Sequence, residues 1–272
     1  MVEVLNISFE EYREREGVNS GFLRNLQRSP AHARCFAEAA HDQSEFQLVG
    51  SALHCAVLEP GEYTRRYVEM PKLDRRRKAD KQEYERIVGN YPNASFLDAE
   101  QAAAVRGMYD AIKNHTLAAE LLVGASGSNE VSIFWTREGE RCKARLDRLC
   151  EWNGRRLIGD IKTTTNASRR AFERSIFNFG YHLQAAWYEK ATAAATEKTS
   201  GFVFVAVESQ PPFGVCVYEL DFGLLSLAHE QIEGLFDLYL KCRRENRWPS
   251  YPTHLQTVLC PAWMIDGESD DE

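Results

Sequence analysis

The dipeptide Asn153-Gly154 constrains this chain more than any other pair of residues. A two-residue hairpin turn of type I′ needs positive φ at both central positions, and Asn-Gly supplies it most readily. β-forming runs flank it, CKARLDRLCEW before and RRLIGDIKTT after. Such a turn fixes the register of its strands. Trp152 then faces Arg155, and further from the turn Asp147 faces Asp160. Side chains alternate along a strand. Cys142, Ala144, Leu146, Leu157, Gly159 and Ile161 are therefore expected on a packed face, and Lys143, Arg145, Asp147, Asp160 and Lys162 on the other. Like charges directly opposite repel, so two facing aspartates need an explanation.

Carboxylates roughly 5 Å apart can be tolerated on a solvated outer face, or can share a hard divalent cation that removes the repulsion. Surface pairs normally mate opposite signs, which favours the cation. Magnesium suits the site, because it takes one or two carboxylates plus water and substrate phosphate. Lys162, two residues beyond Asp160, can neutralise charge developing on that phosphate. The set fits metal-assisted phosphodiester hydrolysis. Removing one acid is expected to relieve repulsion and leave the fold as stable or more so.

The rest of the chain bounds the setting. Its 272 residues carry a net charge of −7 and suffice for one large domain over 1–265, with an acidic, disordered tail over 266–272. Helices are predicted over 20–41 with a break at Pro30 and Ser20 as N-cap, and over 48–58, 98–123, 168–177, 180–196 and 222–245. Residues 124–129 read as a loop, and strands are predicted over 130–136, 142–152, 155–163, 201–207 and 214–220. The expected class is α/β, a mixed sheet around an antiparallel hairpin core flanked by helices. No apolar run approaches the ~20 residues of a bilayer span. The N-terminus lacks the pattern of a signal peptide. Seven cysteines without CxxC spacing suit reduced thiols in a cytoplasm. An acidic balance does not exclude nucleic acid, since a positive channel can sit on an acidic body.

The words GSALHCAVLEP, EVSIFW, CKARLDRL, GDIKTT and FGYHLQAAWY, taken in order, resemble the RecE (exonuclease VIII) nuclease group of the PD-(D/E)xK superfamily, related to RecB-like and lambda-type exonucleases. Asp147 matches the first acid and Asp160-Ile161-Lys162 the second half of the core motif. Gly50 to His54 resembles the GxxxH motif and Gln184 to Tyr188 the QxxxY motif. The resemblance implies a PD-(D/E)xK fold and a cytoplasmic, bacterial or phage-encoded exonuclease. It implies attack on ends of linear double-stranded DNA in the 5′→3′ direction, leaving 3′ single-stranded tails. It also implies a homo-oligomeric ring and a single-strand annealing protein as recombination partner. Two magnesium ions, replaceable by manganese, would be held by His54, Glu130, Asp147, Asp160 and the Ile161 carbonyl, with Lys162, Gln184 and Tyr188 completing the catalytic set.

Each candidate has a plainer reading. His54 among apolar helix residues fits a core histidine as well as a ligand, and Glu130 fits a strand-end surface acid. Tyr181, Gln184 and Tyr188 lie on one helical face, as a core stripe would. Arg75, Arg76, Arg77 and Lys78 form a solvated run or track phosphates. Arg24, Arg28, Lys143, Arg145 and Thr163 complete the candidate DNA contacts. The rival readings are an endonuclease or single-strand nuclease of the same fold, and a catalytically silent binding module.

Overall fold

Asn153 and Gly154 take φ of 49° and 73°, so both turn residues are left-handed. The register follows as expected, from Trp152 opposite Arg155 to Arg148 opposite Gly159. Glu138 and Gly139, with φ of 47° and 79°, make a second tight turn, one strand earlier. These two turns generate the central meander. The structure is a computed structural model and describes residues 2–38, 45–74, 76–196 and 198–259. The predicted acidic tail lies outside the described residues.

In chain order the elements are β1 (Val2–Leu5), α1 (Phe9–Glu14), α2 (Ser20–Arg28), α3 (Pro30–Glu38), α4 (Glu45–Leu58), α5 (Pro60–Arg66), β2 (Tyr67–Glu69), α6 (Lys78–Asn90), β3 (Ser95–Leu97), α7 (Ala99–Asn114) and α8 (Thr116–Ala119). A π-helical turn, Glu120–Gly124, leads into β4 (Ser126–Arg137), β5 (Glu140–Trp152) and β6 (Arg155–Thr164). Then come α9 (Arg169–Asn178), α10 (Tyr181–Thr196), β7 (Gly201–Glu208), β8 (Val215–Glu219) and α11 (Phe222–Glu245). Six strands form one mixed sheet in the order β1-β4-β5-β6-β7-β8, and β2 pairs with β3 apart from it. Only β6 and β7 run parallel within the large sheet. Their connection carries α9 and α10, as a parallel crossover requires.

Helices cover both faces. On one, Trp187 of α10 sits 5.0 Å from Trp135 of β4 and 5.9 Å from Phe236 of α11. Enclosed between sheet and α11, α10 buries residues on nearly every side. On the other face, Leu53 of α4 and Met108 and Ile112 of α7 pack on Ile161, Val205 and Val207.

The expected helix over 98–123 is three pieces. Asp98 and Gln101 form a capping box at its start, but His115 then caps α8 by accepting the Ala118 N–H at 3.2 Å. A side chain that binds the backbone locally competes with the continuing helix. The N-cap of α2 is Asn19, not Ser20, with Oδ1 accepting from Phe22 N at 2.9 Å. The predicted loop over 124–129 joins β4 from Ser126 onward. No helix among the described residues is long and apolar enough to cross a membrane.

Candidate active site

The site lies where β5 parts from β6. Their ladder ends at Arg148 and Gly159, while β6 stays paired with β7 as far as Thr164 opposite Glu208. On its other side, β5 pairs Arg148 with Asn129 and Leu146 with Val131, and omits the intervening pair Asp147 and Glu130. Asp147 is thus unladdered on both sides. Strand alternation breaks with it: Leu146 and Leu149, three residues apart, pack into the same cluster. Glu130 takes φ of 53°, a conformation that costs a non-glycine residue about 1–3 kcal/mol and concentrates at functional sites. Glu130 also lies inside β4 and not at its start.

The facing aspartates therefore part company. Asp147 Oδ2 accepts the Ile161 N–H at 2.9 Å, filling the bond that β5 no longer makes, and approaches His54 Nδ1 at 3.2 Å. The other His54 nitrogen, Nε2, donates to the Ile161 carbonyl at 2.9 Å. Ile161 thus presents both main-chain groups to the gap. Asp160 turns toward α10, where Gln184 Nε2 donates to its Oδ1 at 3.0 Å and Lys162 pairs with its Oδ2. The single charged face expected from alternation does not exist.

Exposure separates the two acids. Asp160 has 0% of its side chain exposed, whereas His54 and Asp147 keep 27% and 14% and leave the site open. Burial raises Asp160 to about 6, against the pull of Lys162. Burial opposes charge on His54, but Asp147 outweighs it and lifts the imidazole to about 9. Burial likewise acts to raise Asp147, yet His54 holds it below the usual range. Burial and the neighbouring Asp147 raise Glu130 to about 6. Lys162 is raised, because Asp160 and Asp147 overcome its burial.

The donor set fits a hard divalent cation. His54, Glu130 and Asp147 each offer a ligand atom, all within 4.8 Å of one another. Asp160 Oδ2 is buried with the Lys162 ammonium as its partner, and the Ile161 carbonyl borders the same gap. Oxygen donors with one imidazole suit magnesium or manganese more than a thiophilic metal.

Other candidates divide sharply. Lys162 Nζ lies 4.8 Å from the Tyr181 ring, so Tyr181 forms a wall behind the lysine. Tyr188 is buried in the core beside Gln184, whose contact pulls against a strong upward shift from burial. It is placed to hold Gln184. Lys143 and Arg145 are corrections. Lys143 Nζ donates to the carbonyls of Tyr12, Arg13 and Arg15, capping the end of α1. Arg145 donates to Glu130 Oε2 at 2.6 Å and to Ile7 O and Ser132 Oγ at 2.8 Å. Both are buried and spent on internal acceptors, which argues against the expected phosphate contacts.

Arg24, Arg28, Thr163 and Tyr181 line one cleft of about 830 Å³ that continues from the end of β6. Arg76, Arg77 and Lys78 are exposed near the start of α6, and no contact among the described residues joins them to the site; Arg75 lies outside the described residues. Sequence reasoning missed Arg148. Its guanidinium binds Asn129 Oδ1 at 2.8 Å and the carbonyls of Leu121 and Ala125, locking the π-helical turn beside Glu130. An arginine next to the motif aspartate in an apolar strand was the available signal.

A PDDEXK-like domain family of unknown function (DUF3799) matches residues 20–258. No curated protein sequence matches the chain. Among solved structures, that of a candidate exonuclease from Eubacterium rectale superposes with a TM-score of 0.63 at 12% identity, covering 98% of this chain and 100% of that one. Protein VC1899 from Vibrio cholerae aligns over 90% of this chain and 58% of its own at 11% identity, with a TM-score of 0.26, too low to inform the comparison. The first likeness shows a shared fold. With the Asp147, Asp160, Lys162 core at the parting of the hairpin, these findings place the chain in the PDDEXK-like family, on a nuclease fold.

Proposed function

We propose that the protein is a metal-dependent deoxyribonuclease that degrades linear double-stranded DNA from its ends, in the 5′→3′ direction, leaving 3′ single-stranded tails. The observation that supports it most is the convergence of His54, Glu130 and Asp147 beside the Asp160–Lys162 pair. The resemblance to RecE-type nucleases supports the substrate and polarity. It also supports a ring around the duplex and an annealing protein that takes up the tails.

Hydrolysis adds water across one P–O bond, giving a phosphate monoester and a hydroxyl. A divalent ion bound by His54, Glu130, Asp147, Asp160 and the Ile161 carbonyl would supply charge that polarises the phosphate and acidifies water. The protein's own groups do the placing. Lys162 holds a protonated amine beside the gap, where negative charge grows on the phosphate. Gln184 fixes the Asp160 carboxylate, and Arg145 fixes Glu130. His54 donates a hydrogen bond from Nε2 to the Ile161 carbonyl and keeps Nδ1 toward Asp147.

The test is an end-labelled linear duplex with magnesium, alongside a covalently closed circle. Progressive release from one strand of the linear DNA, with the circle intact, is expected. A cut circle overturns the exonuclease reading, and two intact substrates overturn the nuclease reading.

A further inference from the structure

The cleft beyond Lys162 holds an aromatic surface that the hydrolytic core does not use. Tyr181, whose ring faces Lys162 Nζ at 4.8 Å, stacks on Phe179 at 5.6 Å with 30° between the planes. Phe179 is the outer ring of this ladder, 55% exposed, and lines the cleft. Phe46 lines the same cleft and is also exposed, and apolar side chains exposed together, unlike single ones, mark contact sites.

The cations around it are also arranged for a ligand. Arg24 Nη1 donates to the Phe179 carbonyl at 2.8 Å, and Arg28 Nε donates to Tyr251 Oη at 2.8 Å. Neither pairs with a carboxylate among the described residues, so their charge is held in place and left uncancelled. Gly180, between the two aromatics, has φ of +62°, and a Cβ there would come within 2.7 Å of Arg24 Cδ. That glycine lets the arginine lie against the aromatic corner. Thr163, Thr164 and Thr165 continue the wall from Lys162 with three hydroxyls.

An exposed aromatic face, fixed guanidinium groups and hydroxyls in one cleft match the parts of a nucleotide: base, phosphate and sugar. Base–aromatic stacking is sequence-tolerant, since every base has a π-face. We propose that Phe179, backed by Tyr181 and flanked by Arg24, is a stacking platform for a nucleobase of the substrate strand next to the phosphate held at Lys162. The proposal rests on the nuclease reading and adds the group that seats the strand end. Phe179 is a positioning residue: it touches a base and not the reacting atoms.

Binding is measured in calcium, with short duplexes whose terminal nucleotides are either normal or abasic, for the wild type, Phe179→Ala and Phe179→Trp. The wild type is expected to prefer the base-bearing end by about 5-fold to 100-fold, from the usual worth of one stacked base. Phe179→Ala erases that preference and Phe179→Trp keeps it. A 5-iodouracil at the terminal position should crosslink to residue 179 under ultraviolet light. Wild-type indifference to the abasic end, or an alanine variant that still prefers the base, overturns the proposal. Cleavage of linear duplex in magnesium is scored separately. Base preference without any cleavage sinks the nuclease reading and leaves the stacking site standing. Cleavage without base preference does the reverse.

Discussion

Asp160 has no exposed surface and neutralises Lys162, which is 14% exposed. An asparagine there leaves a buried ammonium without its counter-ion, a defect worth about 3–5 kcal/mol. The expectation that deleting either acid relieves repulsion therefore fails at this position. Asp147→Asn differs: its amide oxygen can still accept the Ile161 N–H, and 14% of the side chain reaches solvent. Asp160→Asn should lower the urea midpoint clearly and Asp147→Asn much less, while both lose at least about 100-fold in cleavage, since metal catalysis is worth several kcal/mol. Equal unfolding midpoints would show that the two aspartates are not held by different partners. Lys162→Ala tests chemistry against binding. Calcium-supported DNA affinity should change only a few-fold, because one phosphate contact among many is lost. Single-turnover cleavage in magnesium should fall about 100-fold or more. A parallel collapse of both would make Lys162 a binding residue.

At the scale of elements, the central hairpin was legible because Asn153-Gly154 admits one register, which the strands keep from Trp152 to Arg148. Its ending was not. Alternation alone would put Lys143 and Arg145 on one face with Asp160 and Lys162, but β5 is wrung at Asp147, and the cause lies in other elements: Glu130 on β4 and His54 on α4. The α4 and α10 motifs were readable as words, yet their distances from the hairpin depend on packing that no local pattern encodes. β1 and α1 were invisible for a related reason, since short elements carry too few residues for a period. Their docking gives Lys143 its role. Lys143→Met should uncap three carbonyls at the end of α1 and destabilise the protein by about 1–3 kcal/mol. DNA affinity and its salt dependence should stay unchanged in the folded variant. A reduced salt slope would restore the phosphate contact that the sequence pattern suggested.

For the whole molecule, protons and the proposed cation compete for one set of atoms. Folding raises Glu130 and Asp160 to about 6 and His54 to about 9, above their ordinary values. A raised group favours the folded state fully below its unfolded pKa, and that contribution is lost as pH climbs through the folded pKa. From about pH 4 to pH 6 the two carboxylates ionise at a cost, and from about pH 6.5 to pH 9 His54 loses its proton and its attraction to Asp147. Asp147, held low, works oppositely, and its contribution disappears only in acid. The cation-free protein should therefore lose stability at these groups as pH rises. Magnesium needs the same atoms deprotonated, so each proton it displaces steepens its affinity by about tenfold per pH unit. Saturation at a hundred times Kd adds about 2.7 kcal/mol. The rise in Tm caused by a fixed millimolar magnesium concentration should consequently be small at pH 5.5 and several degrees at pH 8. Glu130→Gln removes one displaced proton and one ligand, so it should flatten this dependence and shrink the rise at pH 8. An increment equal at the two pH values in the wild type would mean that the ion binds elsewhere, and the assignment of His54, Glu130 and Asp147 as its holders would fall.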